Sequence, residues 1–218
     1  MVGARNVSGL ATRWRELAAR VGLAPDAGEQ VGDRLLAAWS EPHRRYHDVR
    51  HLAEVLDHVD ELAQLARDPD AVRLAAWFHD VRHDGGPDDE ERSARAAESL
   101  LASAGAPPPT VHEVARLVRL TATHDPAADD VDGAVLCDAD LAVLARDPAG
   151  YRAYAEDVRA EYAHVADGDF RAGRAAVLSA LVAQPRLFRT DEGAGRWEAA
   201  ARRNVASELA ELAGRRTG

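Results

Sequence analysis

Three short segments of this 218-residue chain carry residue types able to bind a cation and move a proton. The first, Arg44-Arg45-Tyr46-His47-Asp48-Val49-Arg50-His51, sets two histidines four residues apart. On one continuous helix that spacing puts both imidazoles on one face, with Cβ atoms about 6 Å apart, so they can converge on a single site. A solvated pair on a surface helix has the same spacing. The second, His79-Asp80-Val81-Arg82-His83-Asp84-Gly85, follows the apolar run Leu74 to Phe78 and leads into a glycine loop. A neutral imidazole beside a carboxylate, where a buried helix meets a loop, offers one nitrogen and one oxygen to a hard or borderline cation. The bland alternative is a helix C-terminus whose histidines complement the helix dipole. The third, Cys137-Asp138-Ala139-Asp140-Leu141, places two carboxylates in an apolar run. Acidic groups there need a cation or hydrogen-bond donors to offset desolvation, unless they lie on an exposed helix edge.

The elements that must position these segments are helices. Apolar residues recur at helical spacing almost throughout, and no stretch shows the Val- and aromatic-rich alternation of strands, so the expected fold class is all-α. A first helix is expected to start after Ser8 and end at Gly22 and Pro25, and a second to cover Asp26 to Trp39. The stretch His47 to Arg67 has Leu52, Val55, Leu56, Val59 and Leu62 on one face; Asp68-Pro69 then stops that helix and caps the next, Asp70 to Val81. A helix from Asp88 to Ala104 follows, and Thr110 with Glu113 predicts a capping box for a helix to Ala122. Ala134 to Ala145 comes next, and Asp147-Pro148 repeats the cap-and-proline start. Two more stretches, Phe170 to Phe188 and Trp197 to Leu212, bring the expected count to about nine helices. Residues 214–218 are expected to fray. One domain spanning residues 1–218 is the default for this length.

Composition narrows the function classes. Hydrophobic residues make up 46% of the chain, charged residues 29% and aromatic residues 5%, which places the core load on Leu, Val and Ala. All 27 basic residues are arginine and isoleucine is absent, a bias attributed to a GC-rich bacterial genome, so a single arginine means little. The formal net charge of −10 argues against a nucleic-acid polymer as partner. Small phosphorylated substrates stay compatible, because a bound metal and a few local arginines reverse the field inside one pocket. Cys137 is the only cysteine, which excludes an intrachain disulfide and a thiolate zinc cluster. No stretch approaches the roughly 20 apolar residues of a membrane span, so no membrane partner and a cytoplasmic location are expected. A homodimer remains an open assembly state.

Taken in order, the three segments resemble the HD superfamily of metal-dependent phosphohydrolases, whose signature is a His, a later His-Asp doublet and a distant Asp on separate helices. The local text is similar to the catalytic core of cyclic-nucleotide phosphodiesterases, with their Tyr-His-Asn-x-x-x-His, His-Asp-Val-x-His-x-Gly and Ala-Asp-Leu segments. It is more similar still to a family of small bacterial HD hydrolases. The resemblance covers about residues 40 to 165 and implies a single HD-type helical bundle. It implies that His51, His79, Asp80 and Asp140 are metal ligands and that His47 is the proton donor, with Asp138 a neighbour of the ligand. Asp48 departs from the pattern, since the resembling sequences usually carry Asn there, and the purine-clamping glutamine segment is missing. Cyclic-nucleotide specificity is therefore not carried over.

The activity implied is a metal-dependent phosphoric ester hydrolase acting on a nucleotide or another small phosphorylated metabolite. Two imidazoles and two carboxylates suit Mn, Fe, Co, Ni, Mg or Zn with positions left for water, one or two ions per site, and Asp80 is able to bridge two. Metal-activated water would attack phosphorus while protonated His47 donates to the leaving oxygen. Arg44 and Arg159 are the candidates for the phosphoryl oxygens, and His83 and His124 for substrate or a second metal; surface ion pairs are the alternative fate of both arginines. Two other function classes compete. An HD-type diiron oxygenase would draw further ligands from His83 and His124, and metal and oxygen dependence discriminates it. A non-catalytic metal- or metabolite-binding protein would turn over no phosphate ester.

Overall fold

The structure, a computed structural model, describes residues 2–214, and among the described residues every regular element is helical. The all-α expectation holds; of the residues expected to fray, Gly214 is still helical and residues 215–218 lie outside the described residues. Ten α-helices form among the described residues, rather than about nine. The contacts divide the chain into two compact units, one up to Ala139 and one from Asp140 onward.

The first unit contains α1 (Val2–Arg20), α2 (Pro25–Trp39), α3 (Val49–Leu62), α4 (Pro69–Phe78), α5 (Asp89–Ser103), α6 (Pro108–Leu120) and all but the end of α7 (Val131–Leu141). Its centre is α4, which packs against α1, α3, α5 and α6. Ala71, Val72, Leu74, Ala75, Ala76, Trp77 and Phe78 are all buried, so the helix is apolar all round, as a core helix must be. Its start is the one read from the sequence: the Asp68 side chain accepts from Ala71 N at 3.0 Å and Pro69 opens the first turn. Its end matters more. A core helix that stops at Phe78 delivers the next side chain, His79, into the interior, where it is 1% exposed. Against this helix stands Trp14 of α1, edge-on to Trp77 at 5.3 Å between ring centroids. Gly32 of α2 makes room for it, since a Cβ there would lie 2.3 Å from Trp14 Cδ1.

Several helix starts differ from the sequence expectation, and three of them show the cause. α1 begins at Val2, and Ser8 lies inside it, its carbonyl accepting from Thr12 Oγ1. α3 begins at Val49 rather than His47, because Asp48 takes the N-cap position and accepts from Arg50 N at 2.7 Å. α6 begins at Pro108, so Thr110 is already helical and no capping box forms; Glu113 pairs instead with Arg116 at 2.7 Å. Proline carries the backbone angle of a first helical turn and needs no N–H there, which moves the start upstream of Thr110.

The second unit holds the end of α7, a 3-10 turn at Ala142–Ala145, α8 (Pro148–Glu161), α9 (Asp167–Ala183) and α10 (Asp191–Gly214). Asp147 caps α8 as expected, accepting from Ala149 N and Gly150 N. α9 stops before Gln184-Pro185 rather than at Phe188, because a residue preceding proline is driven to extended backbone. α10 packs on α9 and on the 3-10 turn, where Asn204 Nδ2 donates to the carbonyls of Leu144 and Arg146 at 2.9 and 2.8 Å. Glu208 accepts from Tyr151 Oη at 2.5 Å and from Arg174 Nε at 2.9 Å, which ties α10 to α8 and α9. Among the described residues no helix is long and apolar enough to cross a membrane.

Candidate metal centre

α3 and α4 run antiparallel, so the start of one meets the end of the other, and the side chains at that junction are histidines and one aspartate. His79 caps the C-terminus of α4, Asp80 follows in the turn, and His51 stands in the first turn of α3. His47 lies outside α3, in the turn before Asp48, so the shared helix face expected from its spacing to His51 does not exist. The two rings meet all the same, 5.6 Å apart and nearly perpendicular. The cap turn brings them together, not the helical repeat.

His51 Nε2 lies 3.2 Å from His79 Nε2, and Asp80 Oδ2 lies 3.1 Å from His79 Nε2 and 3.9 Å from His51 Nε2. The side chains are 2%, 1% and 14% exposed. His79 Nδ1 is 2.9 Å from the carbonyl of Ala76, which can only accept. Nδ1 therefore carries a proton, and in the neutral ring the lone pair sits on Nε2, facing Asp80. A lone pair and a carboxylate oxygen at 3.1 Å repel unless positive charge stands with them, either a proton on an imidazole or a metal ion. The spacing suits an ion. Two ligand atoms each about 2.1 Å from one ion stand about 3.0 Å apart at a right angle and at most about 4.2 Å apart, and all three separations fall inside those limits.

Asp80 has a second face. His47 Nε2 is 3.9 Å from Oδ2 and His83 Nδ1 is 4.0 Å from Oδ1, while the His47 and His83 rings lie 3.9 Å apart at 32°. One ligand atom each from His47, Asp80 and His83 fits within 4.8 Å of the others, a grouping able to hold a cation. Burial works to raise the Asp80 pKa, but when the imidazoles are protonated the charge and hydrogen bond of His79, followed by the charges of His47 and His83, hold the carboxyl well below its usual range.

The remaining candidates are distributed as follows. Arg44 is not on the surface: its side chain is 0% exposed and donates to the carbonyls of His47, Asp80 and Val81, with Nε on Glu41. His124 sits in the turn after α6 with a left-handed φ of 49°, its N–H on the Leu120 carbonyl, and belongs to neither grouping just described. In the second unit, Arg159 donates to the carbonyls of Tyr162 and Val165 and lies over the Phe170 ring, closing the link from α8 to α9. Asp138 is buried on α7, and Asp140 is half-buried on its last turn, where the second unit begins.

Sequence reasoning missed three residues that build this centre. Trp39, at the end of α2, lies 5.3 Å from the His79 ring and 6.2 Å from the His51 ring, its Nε1 fixed on the Trp77 carbonyl. Tyr46 lies 4.7 Å from both the His47 and the His51 ring; its place next to His47 in the first motif was the available signal. Asp89, buried at the start of α5, accepts from three successive backbone N–H groups, Asp84, Gly85 and Gly86, and lies 4.0 Å from His83 Nδ1. It fixes the glycine loop, where Gly85 has a φ of 76°, and with it His83. No protein-family model, no curated protein and no solved structure matches the chain, so the centre is read from its own chemistry.

Proposed function

We propose that the chain is a metal-dependent phosphohydrolase of the HD type that cleaves a phosphate ester of a nucleotide or another small phosphorylated metabolite. The observation that carries the reading is the buried approach of His51 Nε2, His79 Nε2 and Asp80 Oδ2 at 3.1 to 3.9 Å, spacings that suit a shared cation. In this reading these three side chains hold a divalent ion. A bound divalent ion supplies Lewis acidity and lowers the pKa of water. The chain's own residues supply the rest. The Ala76 carbonyl holds His79 in the tautomer that presents Nε2. Trp39 and Tyr46 wall the imidazoles and limit water. His47, 19% exposed beside Asp80, is reachable from solvent and holds the proton that leaves with the alcohol.

One observation favours a second reading. The grouping of His47, Asp80 and His83 offers a second cation position sharing Asp80, as a diiron oxygenase requires. Iron content and oxygen consumption separate the two. The test of the first reading is a screen of nucleotides, cyclic dinucleotides and sugar phosphates with each divalent metal added to chelator-treated protein. Phosphate release that needs metal and disappears in His51→Ala is expected; metal binding without release of phosphate from any ester rejects it.

A further inference from the structure

Arg44 joins the two stretches of chain that carry the centre. We infer that it is a positioning residue: its guanidinium holds the main chain at His47 and at Asp80 at one separation and so sets the His47 imidazole against the Asp80 carboxylate. Nη1 donates to His47 O at 3.0 Å and to Asp80 O at 2.7 Å, Nη2 donates to Val81 O at 3.2 Å, and Nε donates to Glu41 Oε2 at 3.2 Å. The group lies 5.4 Å from the Trp39 ring centroid, against the wall that also touches His79 and His51.

The turn needs such a clamp. α4 ends at Phe78, so the carbonyls of Asp80 and Val81 lie beyond its hydrogen-bond ladder, and the direction of the Asp80 side chain depends on what holds its main chain. On the other side, His47 precedes the Asp48 cap and is outside α3. Only arginine offers several N–H donors in one rigid plane; lysine has a single nitrogen on a flexible stem. A guanidinium that binds substrate phosphate presents an open fork. This one commits four N–H groups to the protein and is shut from solvent.

The use of this spacing in turnover rests on the phosphohydrolase reading, while the clamp itself does not. The test compares wild type with Arg44→Lys in three ways: histidine ring resonances of the metal-free protein, Co²⁺ affinity, and turnover of a poor-leaving-group ester against nitrophenyl phosphate. Arg44→Lys is expected to melt cooperatively, to shift the His47 resonances, and to weaken Co²⁺ binding by roughly 10–100-fold, the range for outer-shell partners. The loss of turnover should be larger on the poor leaving group. Unchanged resonances and Co²⁺ affinity would overturn the inference, as would a raised KM with unchanged kcat and resonances, which marks a substrate-binding arginine. A wild type that releases no phosphate removes the phosphohydrolase reading, and the resonances and Co²⁺ affinity still decide the clamp. Should Arg44→Lys fail to fold, the Arg44 Nη protons of wild type decide: separate, slowly exchanging signals support the clamp, and rapidly averaged ones overturn it.

Discussion

The antiparallel pair α3 and α4 carries a polar cluster at each end, and the two are built on opposite principles. At the end of α3 and start of α4, Asp57, Asp60 and Asp70 alternate with Arg13, Arg20 and Arg73 in ion pairs of 2.6 to 3.0 Å. Each of these acids meets a guanidinium directly, and the side chains are 21% to 65% exposed. At the other end one carboxylate, Asp80, faces four imidazoles and is 14% exposed, and the nearby Arg44 gives its donors to main-chain carbonyls. The first cluster is complete in itself and does the work of surface ion pairs. The second depends on positive charge that neutral imidazoles do not bring, and that deficit marks it as the candidate site.

Breaking the deficient end should have the largest effect. Asp80→Ala is expected to lose more than about 100-fold in metal affinity, since outer-shell changes alone cost 10–100-fold. Metal analysis after dialysis checks this, and full occupancy with intact activity would count against the assignment. Next comes the contrast between His47 and His51. His47→Ala should retain metal and lose about 10²-fold or more on esters with poor leaving groups, with much less loss on nitrophenyl phosphate. His51→Ala should lose metal and fail on both. Equal losses on both esters in His47→Ala, with metal retained, would mean that His47 positions substrate rather than donating a proton.

Much of this comparison was open to a reader of the sequence, and the unreadable part has a common cause. The starts of α4 and α8 were legible because Asp68-Pro69 and Asp147-Pro148 act within one turn of themselves. The motif residues were legible by type and order. Two readings gave way to a competing local preference: Asp48 capped α3 and removed His47 from it, and the prolines before Thr110 started α6 early. The burial of Arg44 was illegible because half of its acceptors, Asp80 and Val81, lie in a segment far along the chain, and in a chain whose basic residues are all arginine the residue type carried no signal. The partners of Asp89 follow from the path of the loop from Asp84 to Gly86, which no pattern encodes.

Smaller effects sharpen the other half of the comparison. Arg73→Ala, which breaks pairs to Asp60 and Asp70, should cost about 1 kcal/mol or less, since both partners are part-exposed. Urea melts should show the loss shrinking at high salt, with metal binding unchanged; a loss of metal would mean the two ends are not independent. The smallest effect concerns acid. Burial raises the Asp70 pKa, but hydrogen bonds from Arg20 and Arg73 outweigh it and leave the group below its ordinary value. A depressed folded pKa gives stability that is present above the unfolded value, near about 3.9, and lost as pH falls through the folded one. Asp70→Asn should therefore cost a small and constant amount of stability at neutral pH and flatten the acid limb below pH of about 4, where the two proteins converge.

The central claim is that the cluster between α3 and α4 is a metal site, and anomalous scattering from crystals grown with Mn²⁺ tests it most directly. The account predicts a strong peak within about 2.0–2.3 Å of His51 Nε2, His79 Nε2 and an Asp80 carboxylate oxygen. A map from saturated crystals with no peak there, or with the manganese held only by surface carboxylates, would contradict it.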